Sequence, residues 1–221
     1  MLDLLQKGDW ALFTLILAAL VISLSFHEFG HAWVAKRFGD DTAERAGRLT
    51  INPLAHIDPM GLLMVIIAGV GYAKPVPTDP RRFTSRYADL LVAAAGPGMN
   101  LLLAVVTINL YALGLKIDPT LFWQPGPRQF FGYLTLINLV LMLFNLLPIG
   151  PLDGHYILPY FLPRRLASLY RFYNRRYGIW LLLLLVFLTV FGVPVFQSIW
   201  GFSGEMLEWI ALLPLHPIGG R

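Results

Sequence analysis

The chain has 221 residues, 57% of them hydrophobic and only 14% charged, with a mean hydropathy of +0.63 and a pI near 9.5. Soluble domains carry about 25% charged residues and, at this length, still expose much of their surface. Composition and the long uncharged stretches therefore exclude a water-soluble globule. There is no cysteine, which rules out disulfides and thiolate-held metals and leaves His and carboxylates as possible ligands.

A membrane-crossing helix needs roughly 20 mainly apolar residues, and four segments qualify. The first runs from about Trp10 to Val34 with no charge before Glu28. It lacks the small-residue cleavage site of a signal peptide and reads as a retained membrane helix. Near its end stands His27-Glu28-Phe29-Gly30-His31, an H-E-x-x-H pattern. Four residues of α-helix turn about 400°, so both imidazoles leave the same face and can reach one Zn²⁺ at about 2.0–2.1 Å. Glu28 then sits beside the metal, placed to act as a base. Ionisable groups at membrane depth are costly and usually functional, which favours a metal site over a chance match.

The connection Ala35–Arg86 contains three features. Arg48–Asn52 is short and β-prone, and stops at Pro53; it is expected to offer a strand edge to an extended substrate, as part of a membrane-associated hairpin. His56 has two open roles, orienting Glu28 or another carboxylate, or forming a turn. Met60–Tyr72 is apolar but half a span long, which suits a re-entrant segment.

The second span runs from about Tyr87 to Leu115 and contains Ala95-Gly96-Pro97-Gly98-Met99-Asn100, read as helix-packing residues with ligation unexpected. The third, from about Gln129 to Leu147, leads into Asn145-Leu-Leu-Pro148-Ile-Gly150-Pro151-Leu-Asp153-Gly154. Zinc that keeps a position open for water needs a third protein ligand. His56, His155, His216 and carboxylates at span ends are candidates. Asp153 stands out, although a helix cap or interfacial turn also suits it. The fourth span runs from about Tyr177 to Trp200, and Met206–Leu215 is expected to lie along the interface or pack on the bundle.

With the N-terminus outside and four crossings, Ala35–Arg86 and Leu162–Arg176 face the cytosol. They hold eight and five Lys or Arg, against Lys7, Lys116, Arg128 and Arg221 on the other side, a clear positive-inside bias. Basic loops meeting anionic headgroups explain the high pI without nucleic acid. This topology puts His31 and Asp153 at the same, cytosolic, end of their spans.

Taken in order, His27–His31, Asn52-Pro53-Leu-Ala-His56-Ile-Asp58-Pro59-Met-Gly61, Ala73-Lys74-Pro75-Val76-Pro77, Ala95–Asn100 and Asn145–Gly154 make the chain resemble the site-2 proteases, zinc-dependent intramembrane metalloproteases. The resemblance implies Asp153 as third ligand to one Zn²⁺ per chain, beside His27 and His31, and Asn145 as oxyanion donor. It implies a minimal member without an inserted PDZ domain. In place of the Gly common after Leu-Asp-Gly stands His155, expected near the metal.

The expected architecture is a polytopic all-α membrane protein with about four full spans, a three-span catalytic core and a short re-entrant or β-hairpin element. One integral membrane domain would cover 1–221, with its core at about 10–160 and a C-terminal span at about 177–200. The expected reaction is hydrolysis of a peptide bond in or near a transmembrane helix of a membrane-protein substrate, with Glu28 as base and the active site toward the cytosolic side of the cell membrane. A zinc-binding transporter or a catalytically silent helix-binding relative is the alternative; retained zinc with lost cleavage in Glu28→Gln would separate them. Substrate identity and oligomeric state are not readable from the sequence.

Overall fold

The computed structural model describes residues 1–68, 71 and 73–215; His216, Arg221 and part of the Met60–Tyr72 segment lie outside them. Among the described residues, three helices are long and apolar enough to cross a membrane: α1 (Trp10–Arg37), α3 (Ala88–Ile117) and α4 (Pro125–Asn145). Even α4, the shortest with 21 residues, is about 32 Å long at 1.5 Å per residue, enough for a hydrocarbon core of about 30 Å. Asp9 caps α1 by accepting from Leu12 N at 3.1 Å, and Pro125 starts α4 where a missing N–H costs nothing.

These three helices form the core. Small residues let them approach: Ala19, Ser23, Gly30, Ala32 and Ala35 of α1 and Ala93, Gly96 and Ala104 of α3 are buried. At Gly30 the two backbones almost touch, since a methyl there would stand 2.8 Å from Ala95 O. Of the segment expected to be re-entrant, Pro59–Ala68 forms α2, a 10-residue apolar helix that follows α1 in the chain and is half the length of a crossing.

The expected hairpin is not formed. Among the described residues there is no strand, and Arg48–Asn52 is irregular. The Arg48 side chain turns inward instead of lining an edge, and donates to Lys74 O and Pro75 O. Asn52 caps Leu54 N, starting a 3₁₀ turn at Pro53. One backbone bond, Lys74 N to His56 O at 2.9 Å, closes the loop.

The fourth expected span also differs. Helix α5 starts early and runs Arg164–Val190, and α6 runs Gln197–Ile210. Between them Gly192 adopts φ +88° and Pro194 follows, so the apolar run Tyr177–Trp200 is divided by a turn. Its uncharged helical part, Tyr177–Val190, is shorter than the roughly 20 residues of a full crossing. Met206–Leu215 packs on the bundle: Leu207 and Ile210 cover the α3–α4 core, and Asn109 holds Ile210 O and Leu212 N.

Helix α5 fixes the loop after α4. Asn174 accepts from Gly150 N and donates to Gly150 O, both at 3.1 Å. Gly178 packs against the same glycine, whose φ of +60° suits a residue without a side chain. Gly154 is required for another reason: its Cβ would stand 2.2 Å from Leu146 O. The end of α4 is thereby folded back so that Asp153 faces α1.

Candidate active site

His27, Glu28 and His31 lie on α1, with His27 and Glu28 buried. His27 Nε2 and His31 Nε2 are 3.1 Å apart. Asp153 reaches them from the loop after α4, with Oδ2 3.3 Å from His27 Nε2 and Oδ1 3.4 Å from His31 Nε2. The ligating atoms of these three residues all lie within 4.8 Å of one another. The structure thus brings together the three residues expected to hold metal.

The second nitrogen of each ring is already engaged. His31 Nδ1 is 2.7 Å from Val92 O and His27 Nδ1 is 2.6 Å from Asn100 Oδ1. A carbonyl only accepts, so His31 carries its proton on Nδ1. For His27 the same conclusion depends on which way the Asn100 amide points, and neighbouring backbone carbonyls decide that. Asn138 Nδ2 donates to Leu134 O and to Ser23 Oγ, turning its Oδ1 toward Asn100. Asn100 Nδ2 donates to that Oδ1 at 2.8 Å and to Ser23 O at 3.2 Å. Its own Oδ1 is left to accept from His27.

With Nδ1 carrying the proton, the neutral form of each ring aims an Nε2 lone pair at the same space as the Asp153 carboxylate. Its Oδ2 is buried without a hydrogen-bond partner. Three converging electron-rich atoms repel one another unless a cation joins them, and two imidazoles with a carboxylate are a donor set that suits zinc. Gly96 keeps the space open: a Cβ there would stand 2.3 Å from His31 Nε2 and 2.6 Å from His27 Nε2.

The other expected residues are placed as follows. Glu28 Oε2 accepts from Val76 N at 3.1 Å, the single amide between Pro75 and Pro77. His56 does not orient Glu28. It donates Nε2–H to Thr50 O at 2.7 Å and turns Nδ1 toward Arg48 Nη2 at 3.4 Å; burial pushes its pKa down, so it holds the loop as a neutral ring. His155 bonds Asn174 Nδ2 at 2.7 Å and its ring lies 5.6 Å from that of Tyr170, outside the metal cluster. Asn145 donates to Leu141 O at 2.9 Å within its own helix. Asn138 and Ser23 were missed by sequence reasoning, and Asn100 was read only as packing. An Asn in the middle of an uncharged span was the available signal.

The model of peptidase family M50 matches residues 15–117 and 115–190. Over 153 residues the chain is 42% identical to YwhC of Bacillus subtilis, covering 67% of this chain and 69% of that protein. Over 151 residues it is 36% identical to Rip2 of Mycolicibacterium smegmatis, of whose length it spans 55%. A zinc metalloprotease of Methanocaldococcus jannaschii, MJ0392, is 24% identical over 163 residues, 37% of that protein's length. The names of all three class them with the zinc metalloproteases. No solved structure matches significantly. The chain belongs to peptidase family M50, and so to the zinc metalloproteases.

Proposed function

We propose that this protein hydrolyses a peptide bond in or near a transmembrane helix of a membrane-protein substrate. The observation that carries this reading is the convergence of His27, His31 and Asp153 on the inner face of a three-helix apolar bundle. These three would hold zinc. When bound, zinc polarises a scissile carbonyl and lets water ionise near neutral pH.

Glu28 is the base. It takes a proton from the attacking water at a carboxylate oxygen and returns it to the leaving amine. The Val76 N–H on Oε2 restrains its rotamer. Val76 is held in turn, because Arg48 anchors the carbonyls of Lys74 and Pro75 and is itself packed against His56. The loop thus positions the base and leaves the metal ligands to the helices. Asn145 serves as oxyanion donor through the amide proton not engaged by Leu141 O. A substrate helix must unwind before its carbonyls are accessible, since each is bonded to an amide four residues on.

The positive-inside bias supports a cell-membrane location with the His31 end of α1 toward the cytosol, and residues 1–221 acting as one integral membrane domain. The test is Glu28→Gln in reconstituted vesicles carrying a transmembrane substrate. Zinc content should equal that of wild type, and cleavage should fall at least a hundred-fold, the lower range for loss of a general base. Cleavage at the wild-type rate would refute Glu28 as the base.

A further inference from the structure

On α5, next to the start of α3, lies an open groove of about 1030 Å³ lined by Arg86, Arg164, Arg171, Arg175 and Arg176. Among the described residues, none of these five has a carboxylate within ion-pair distance. Asp89 acts electrostatically on Arg171 without forming an ion pair with it. Arg164, Arg171 and Arg175 repeat at helical spacing along one face of α5, with Ala167 buried beneath them. Arg86 and Arg176 lie over the rings of Tyr87 and Tyr177, 4.6 and 5.7 Å from their centroids. Guanidiniums gathered this way repel one another, and an anion in the groove would relieve that repulsion.

What lies next to the groove indicates the anion. Beyond Arg176 the helix carries no further charge up to Val190, and Ile179, Leu183 and Val190, which continue the groove-lining face at helical spacing, are exposed there. A ligand filling the groove therefore meets arginines at one end and a bare apolar helix face at the other. We infer that the groove binds the phosphodiester headgroup of an anionic glycerophospholipid, whose acyl chains run along Tyr177–Val190. Guanidinium matches phosphate oxygens in geometry as well as charge, and basic pockets between membrane helices are suited to such headgroups. Bound lipid would brace α5, which clamps the Gly150 loop carrying Asp153.

The zinc-loaded full chain in neutral detergent is titrated with phosphatidylglycerol, and in parallel with phosphatidylcholine, with bound lipid counted by native mass spectrometry. Each arginine near an anionic headgroup contributes about five-fold in affinity, so Arg171→Gln/Arg175→Gln should weaken phosphatidylglycerol about 30-fold. Ser168→Glu, an exposed position in the same groove, should weaken it without removing an arginine. Arg165→Gln, on the same helix but outside the groove, should bind as wild type. Equal retention of the two lipids, or wild-type binding by both groove variants, would overturn the inference. So would displacement of lipid by equimolar inorganic phosphate, which would mark a free-phosphate site, or by polyglutamate of matched charge, which would mark a site for an acidic protein segment.

Discussion

Replacing Gly96 by alanine places a methyl between the two imidazoles, 2.3 Å from His31 Nε2 and 2.6 Å from both Cε1 and Nε2 of His27. Non-bonded heavy atoms settle at about 3.5–4.0 Å, so the rings or the helix must withdraw by about 1 Å. The rings cannot do so freely. Their Nδ1 atoms are held by Val92 O at 2.7 Å and Asn100 Oδ1 at 2.6 Å, both on the same helix as Gly96. If α3 withdraws instead, it carries those acceptors away from the rings. A zinc site tolerates about 0.2 Å in its ligand distances, several-fold less than the required shift. Loss of an outer-shell partner alone costs 10–100-fold in metal affinity; direct displacement of two ligands should cost at least about 100-fold. Overpacking should lower stability by about 1–3 kcal/mol, leaving helix content intact.

The assay is zinc per chain after dialysis, chelator competition for affinity, and circular dichroism for folding. Gly98→Ala is the internal control, because a Cβ there meets nothing within 4 Å. It should retain zinc and be neutral or up to about 1 kcal/mol more stable, from helix propensity. Wild-type zinc affinity in folded Gly96→Ala would refute the geometry of the site.

The asparagine chain predicts a graded series in the same competition assay. Asn100→Leu removes the acceptor for His27 Nδ1 and should lose about 10–100-fold in zinc affinity. Asn138→Leu should lose less, because Ser23 O still orients Asn100, and should cost about 1–3 kcal/mol of stability by stranding buried polar groups. Equal effects from the two would refute the relay. Asp153→Ala should abolish stoichiometric zinc, whereas His155→Ala should retain it, since His155 bonds Asn174 and not the cluster; zinc loss in His155→Ala would show that the cluster is drawn with the wrong members.

Two kinds of information in the sequence proved legible. A run of apolar residues sets helix length, and α1, α3 and α4 follow from that alone. Fixed spacing on one helix sets a face, so His27 and His31 were paired without any tertiary knowledge. The division of the fourth span was written in Gly192 and Pro194, which end a helix for local reasons; uncharged length masked them. Arg48 misled in the opposite way. Its β-prone neighbours suggested an edge, but burial of its guanidinium against two carbonyls decided the backbone.

The placement of the site between helices was the harder part. Asn138 and Asn145 are seven residues apart, two turns of α4, and nothing local tells which of them meets a partner. Asn138 is wholly buried and links α1, α3 and α4, because it lies level with Ser23 and Asn100. Asn145 lies two turns on, at the end of α4, where its side chain falls back on its own helix. Depth along the bundle separates them, and depth depends on how three helices slide past one another. That sliding is fixed by small residues: Gly30 against Ala95, Gly96 against both histidines, Gly154 under Leu146. Each is a contact with no side chain of its own to announce it, so a pattern of polar residues reveals the chemistry while the glycines between them set its position.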